Sequence, residues 1–327
     1  MKKRNIDEKR RKTMTHKIRD EALKLGYIDA RPVTGHPFDA WLNYLKSIPL
    51  GRLLTFEHDP AKASGWPLDE ITIWVAIAPT PPVAGWPDGS GEIASLYLYA
   101  AQSKERQKAW EDAAVAMGCE IAHDAFLPER AAAVRAGFGV QGLNGLLIAP
   151  DYGSFVEIAI LLQHAVPPPD ARGPEHDKPG ECDKCGRCIT ACPTGAIKEN
   201  GVDTLICLCT YIYDYMEMPE ADYPKMGRRI LGCDTCQLAC PRNAELIIGK
   251  PPSDLSDYLK LEELLTKPDI DSMAKYKKLN KSGVIKQAIL AAANTGRKDL
   301  MHLIEPYIGG EDEKLDKLAK WAAEQLR

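Results

Sequence analysis

Apolar positions recur at helical spacing along some stretches of the chain and gather into short β-branched runs in others. IRDEALKLG (18–26) is amphipathic and stops at Gly26, and DAWLNYLKSI (39–48) reads as a second helix. ITIWVAI (71–77) is apolar, rich in β-branched residues and bounded by Pro67 and Pro79, which predicts a central strand. SKERQKAWEDAAVAMG (103–118) and LPERAAAVRAG (127–137) follow as helices, and GLLIA (145–149) and FVEIAILL (155–162) as strands. Residues 15–166 therefore predict an α/β unit with a mixed sheet of about four or five strands flanked by helices. PPPDARGPEHDKPG (167–180) breaks the pattern, and a cysteine-rich stretch with little room for a core runs on to about residue 250. From 253 the chain is helical again, with VIKQAILAAANTG and KLDKLAKWAAEQL amphipathic and joined by glycine-containing turns. The expected class is α+β, divided as 1–170, 171–250 and 251–327.

Bulk properties narrow the function classes only a little. A chain of 327 residues can hold two or three cores, and a net charge of −4 gives no sign of nucleic-acid binding. No apolar run is long enough to cross a bilayer, so no membrane partner is expected. The basic start (MKKRNIDEKRRKTMTHK) has no apolar region after it, which argues against a secretory or twin-arginine signal. A reducing cytoplasm is the expected location.

The cysteines change the picture. Nine of the ten lie between residues 182 and 240. The first run is Cys182-x2-Cys185-x2-Cys188-x3-Cys192-Pro193, and the second is Cys233-x2-Cys236-x3-Cys240-Pro241. Three thiolates at the first spacing can wrap one corner of a cubic iron–sulfur cluster, while the cysteine before proline turns away to the other cluster. Zinc prefers two separated pairs, and disulfides would need an exported protein. The spacing predicts two [4Fe-4S] clusters. One is assigned to Cys182, Cys185, Cys188 and Cys240. The other takes Cys233, Cys236 and Cys192, with Cys207 or Cys209 as fourth ligand. Cys119 reads as a buried core thiol.

Other motifs carry less. Gly137-Phe138-Gly139-Val140-Gln141-Gly142 matches G-x-G-x-x-G, yet a helix precedes it and a strand follows, the reverse of a dinucleotide fingerprint. Its glycines allow a close approach by a neighbouring element or by a large flat cofactor, and Gly153 and Ser154 form a second compact turn. Asp124 stands between a strand and a helix, where it could donate a proton or simply cap the helix. Arg130 could hold an anionic group or pair with Glu129 or Asp124. The seven histidines lack metal-ligand spacing, there is no D-x-H-x-x-G, and His123 is the one histidine placed either for catalysis or for a partly buried structural role. Lys275, Lys277, Lys278, Lys281 and Lys286 form either a solvated face or a grip for phosphates.

Several of these segments together resemble the epoxyqueuosine reductases, cobalamin-dependent enzymes of queuosine-tRNA maturation. LGYIDARPV and WLNYL are similar to the family's opening helix and strand. LPERAAAVRAGFGVQGLNGLLIAPDYGSF resembles its L-E-R-x2-A-x2-A-G-x-G signature, followed by G-x-N-x-L-L-I and a G-S-F turn. ECDKCGRCITACPTGAI and GCDTCQLACPRN resemble its two cluster motifs, and Asp203, four residues before Cys207, favours Cys207 as ligand. VIKQAILAAANTGRKDL and AKWAAEQL are similar to its helical repeat. The resemblance implies a nitroreductase-like or B12-processing-like cobalamin domain, a ferredoxin-like double-cluster module and a HEAT-like tail. It further implies base-off cobalamin with no protein histidine ligand, approached by Gly137, Gly139, Gly142, Asn144, Tyr152, Gly153 and Ser154, with Asp124 as proton donor. A ferredoxin or flavodoxin would supply electrons, tRNA would be the substrate, and the protein would be a monomer. The chain departs from the family in having Tyr99-Ala-Ala-Gln-Ser-Lys104 in place of D-Y-H, and Val140-Gln141-Gly142-Leu143 in place of W-x-G-K. Two other readings fit the same cysteines: a corrinoid reductase of a small oxidised or halogenated molecule, and an electron-transfer protein that reactivates a corrinoid partner.

Overall fold

The computed structural model describes residues 14–48, 58–123, 127–177, 182–213, 216–268 and 281–327. Its strands are β1 (Asp29–Thr34), β2 (Ile71–Pro79), β3 (Glu92–Ile93), β4 (Ile121–Ala122), β5 (Val140–Gln141), β6 (Leu147–Ile148), β7 (Val156–His164), β8 (Ile197–Lys198), β9 (Gly201–Val202) and β10 (Arg229–Leu231). The main sheet has the order β1-β2-β7-β4. Where a mixed sheet was expected, all three of its pairings are antiparallel.

β2 is buried along nearly its whole length, which explains why it reads as an unbroken apolar run. Its side chains alternate between two cores. Ile71, Ile73, Val75 and Ile77 face a core with Phe38 and the helix Glu129–Arg135. Trp74, Ala76 and Ala78 face Ile18, Trp110 and Ala114, on the helices 14–24 and Ala100–Ala116. The buried indoles stay satisfied: Trp74 donates to Gln163 Oε1 at 2.9 Å and Trp110 to the Ile18 carbonyl at 3.1 Å.

A third core ignores the divisions that composition draws. Val83, Trp86 and Ile93 leave the sheet and pack with Leu208, Ile212, Ile230 and the C-terminal helices. β3 pairs in parallel with β10 to fasten this crossing. The helix Lys281–Asn294 is buried from Gly283 to Ala293, between Leu261–Thr266 and Glu313–Leu326. A helix enclosed on all sides needs apolar residues on all sides, hence the run VIKQAILAAA.

Two expectations are corrected. Residues 145–149 do not add a strand to the sheet: Leu147–Ile148 pairs only with Val140–Gln141. The turn closed by the Gly145 amide on the Gly142 carbonyl (2.9 Å, Gly145 φ +75°) folds the segment back first. Lys286 is not a phosphate grip, because it is buried and donates to the Tyr211 carbonyl at 3.2 Å. Lys281 is exposed, while Lys275, Lys277 and Lys278 lie outside the described residues. No described helix is long and apolar enough to cross a membrane.

Candidate metal centres and the adjoining cleft

The cysteine region is folded by short helices, Arg187–Ala191, Leu208–Ile212 and Thr235–Leu238. Left-handed backbone at Lys184 (φ 48°) and Gly186 (φ 73°) curls the first run. Cys182, Cys185, Cys188 and Cys240 then line one enclosed space of about 30 Å³. Their charges interact as neighbours, Cys188 with Cys240 and Cys185, and Cys240 with Cys185 and Cys182. Cys185 is exposed, so this group reaches the surface.

Cys192, Cys207, Cys233 and Cys236 gather separately. Burial, followed by the charges of Cys233, Cys207 and Cys192, pushes the Cys236 thiol up to about 12. Cys207 and Cys209 share a hydrogen bond that lowers Cys207 to about 7 and holds Cys209 well above the ordinary thiol range. Among the described residues no three metal-binding side chains converge on a single point.

Polar side chains stitch this region to the sheet. The Ser95 amide donates to Asp234 at 2.6 Å. Ser154 donates through its backbone N–H to Asn243 Oδ1 at 2.8 Å and through its hydroxyl to Gln237 Oε1 at 3.0 Å. Asn144 accepts from the Leu146 amide at 3.3 Å, borders the first cysteine group and hydrogen-bonds Cys236 of the second. Protein atoms, not open space, lie against the loop glycines. Arg172 crosses Gly137, the Ile148 carbonyl crosses Gly139, Asn144 meets Gly142, and Asn243 meets Gly153. Tyr152 packs on the sheet core.

A cleft of about 500 Å³ opens beside β7, between the start of the helix Ala100–Ala116 and the start of Glu129–Arg135. Leu146, Leu147 and Val156 give it apolar walls, Ala100 and Ala159 leave it wide, and Lys104, Glu129 and Arg130 supply charge. Of the seven residues expected to approach a corrin, Ser154 lines this cleft, whereas Gly142 and Asn144 line the first cysteine group. Tyr97 stands between the cleft and the second group. Burial pushes its phenol up to about 12, and the charges of Cys209, Asp234 and Cys207 add to the shift.

Asp124 lies outside the described residues; β4 ends just before it and Glu129 follows on the cleft wall. Glu129 was not singled out in the sequence. The crowded cleft wall pushes its carboxyl up against the opposing charge of Arg130, while its side chain remains open to solvent in the cleft. Arg130 donates to the Gly145 carbonyl at 2.6 Å, bracing the glycine loop. His123 is exposed and pairs with Glu111 at 3.6 Å. Arg135, fully buried, forks onto Asp177 at 2.6 and 2.8 Å and lies over the Phe38 ring. Only its arginine in an alanine-rich helix could have drawn notice. Cys119 is a core thiol as expected, accepting from Gln163 at 3.2 Å.

Residues 181–243 match the family model of a 4Fe-4S double cluster binding domain, so the chain carries an iron–sulfur module. Curated relatives include the epoxyqueuosine reductase of Bacillus anthracis, 36% identical over 141 residues that span 43% of this chain and 36% of that protein. That of Aliivibrio fischeri is 30% identical over 210 residues, 60% of this chain and 55% of the relative. That of Escherichia coli is 42% identical over 118 residues, 35% and 30% respectively. The chain thus spans only about a third to a half of the length of these relatives. A solved selenomethionine-labelled epoxyqueuosine reductase superposes with a TM-score of 0.77 at 22% identity, covering 94% of this chain and 88% of that one. A second, an epoxyqueuosine reductase with an epoxyqueuosine-modified tRNA-Tyr stem loop, gives 0.75 at 21%, with the same coverage. The chain is similar to epoxyqueuosine reductases in sequence over part of its length and in fold along nearly the whole of it.

Proposed function

We propose that this chain is a cobalamin- and iron–sulfur-dependent reductase that converts epoxyqueuosine in tRNA to queuosine. The observation that carries the reading is the wall shared by the second cysteine group and the 500 Å³ cleft, with Tyr97 between them. Cys182, Cys185, Cys188 and Cys240 hold an outer cluster, and Cys192, Cys207, Cys233 and Cys236 an inner one.

The residues present fit a corrin in the cleft. Small side chains at Ala100, Ser103 and Ala159 leave room beside β7, and Leu146, Leu147 and Val156 give an apolar wall on which a large flat group could lie. Base-off cobalamin, when bound, would supply a low-valent cobalt centre, and no histidine is among the residues that line the cleft. Removing an epoxide oxygen as water takes two electrons and two protons. Asp124, five positions before Glu129 in the sequence, delivers a proton to that oxygen, and Arg130 and Lys104 offer positive charge to the anionic backbone of the RNA. The protein works as a cytoplasmic monomer, with electrons coming from a small ferredoxin or flavodoxin.

Anaerobic reconstitution with iron, sulfide and cobalamin, followed by electron paramagnetic resonance, should give a base-off Co(II) signal beside two cluster signals. No cobalt signal would leave only an electron-transfer protein. Queuosine in tRNA from a deletion strain carrying this gene tests the substrate, and epoxyqueuosine persisting there would move the reading to a small oxidised molecule. Asp124→Ala should abolish turnover with both cofactors retained; unchanged turnover refutes its role.

A further inference from the structure

Two hydroxyls lie close to sulfur in the inner cysteine group. Thr235 stands two positions after Cys233, at the start of the short helix Thr235–Leu238, and its Oγ1 is 3.3 Å from Cys233 Sγ. Thr194 stands two positions after Cys192, with its Oγ1 3.8 Å from that sulfur. The matching hydroxyl of the first run is Thr190, two positions after Cys188, and it donates instead to the Gly186 carbonyl at 3.4 Å.

What sets Thr235 apart is that its proton is directed. Arg229 Nη2 donates to Thr235 Oγ1 at 2.9 Å. A guanidinium accepts nothing, so it takes up a lone pair of the hydroxyl and leaves the O–H to point elsewhere. An iron-bound thiolate carries no proton and can only accept, and the Cys233 sulfur stands within reach of that O–H. Arg229 is itself fixed. It faces Glu92 where β10 pairs with β3, its Nε 3.6 Å from the carboxylate, and its Nη1 donates to the Met226 carbonyl at 2.9 Å. The side chain is only 19% exposed, so water competes little for these bonds.

We propose that Thr235, oriented by Arg229, donates a hydrogen bond to the Cys233 sulfur and so raises the reduction potential of the inner cluster. The proposal rests on the reading that Cys192, Cys207, Cys233 and Cys236 hold that cluster. Reduction adds negative charge to an anionic cluster, and burial makes such charge costly. Burial alone would leave the inner cluster harder to reduce than the outer one, which is exposed at Cys185. A hydrogen bond to sulfur strengthens as the sulfur gains charge, so it favours the reduced state and offsets that cost. One electron leaves the outer cluster and one enters the inner; no proton moves and no bond breaks. Thr235 is the donor, and Arg229 is a positioning residue.

The test is a redox titration of the reconstituted protein, followed by electron paramagnetic resonance so that the two one-electron couples are read separately. Thr235→Val should disfavour reduction of one cluster about 10-fold, a fall of about 59 mV, and leave the other couple in place. Thr235→Ser should restore it, and Thr190→Val should move neither couple. Arg229→Met should lower the same couple, and by less in the Thr235→Val background, which separates orientation of the hydroxyl from plain charge. Both couples unmoved by Thr235→Val, both moved alike, or Thr235→Ser falling as far as Thr235→Val would each overturn the proposal. So would an equal effect of Arg229→Met in the two backgrounds. If Thr235→Val loses a cluster, Arg229→Met alone decides, and an unmoved couple there overturns the proposal. If the unaltered protein takes up no iron, the cluster reading fails instead.

Discussion

The two cysteine groups are built from similar runs and sit in opposite settings. The first opens to solvent at Cys185 and is bordered by an ion pair, Arg242 on Asp183 at 2.6 Å, that also stands in water. The second is enclosed by Tyr97, Asn144 and the Ser154–Gln237–Asn243 hydrogen bonds, and its Cys236 is pushed up to about 12 chiefly by burial. Similar local spacing thus yields an accessible group and a sheltered one, because different parts of the sheet domain close over each. Exposure and hydrogen bonds to sulfur are what set cluster potentials, so the two ends of the path should differ in both potential and reactivity.

The strongest way to break the contrast is to remove a ligand on each side. Cys236→Ser should reduce bound iron by about half and leave turnover undetectable, because the inner relay is lost. Cys185→Ser should likewise cost one cluster, with dithionite still reducing the other; equal loss of both clusters in either variant would erase the distinction. Next in size is Arg135→Met. It leaves Asp177 unpaired against a core of backbone carbonyls, and should cost about 3–5 kcal/mol in denaturant unfolding. Ser154→Ala, which removes the hydroxyl's hydrogen bonds to Gln237 and Asn243, should cost about 1 kcal/mol and shorten the lifetime of the inner cluster under air more than that of the outer.

The smallest effect is a pH dependence at the cleft. The folded protein binds the Glu129 proton more tightly than the unfolded chain does. Its contribution to stability is full below the ordinary value of 4.5 and fades as the pH rises through the raised one. Glu129→Gln should flatten the thermal midpoint over that window, and a slope unchanged by the substitution would deny the shift.

What could be read in advance follows the range of the signal. Cysteine spacing is local chemistry, and the sequence placed Cys182, Cys185, Cys188 and Cys240 in one set before any fold was known. The strand at Ile71–Pro79 and the helix at Lys281–Asn294 were legible because enclosure on every side demands unbroken apolar runs. Residues 145–149 looked like a strand for the same reason, but a two-glycine turn overrode their propensity. Nothing local marked Lys286 as buried, since its solvation is replaced by a carbonyl 75 positions away. Glu129 and Tyr97 gain their setting only when two helices far apart in sequence, Ser95–Leu98 and Glu129–Arg135, form two walls of one cleft.

The third core has a consequence for biogenesis. Leu208, Ile212 and Ile230 beside the cysteines are covered by a helix that begins at residue 281 and by another that ends at Leu326. On a ribosome those helices emerge on the order of several seconds after Cys240. Through that interval the inner thiols lack their final cover, giving assembly factors a natural time to deliver iron and sulfide before the chain closes over them.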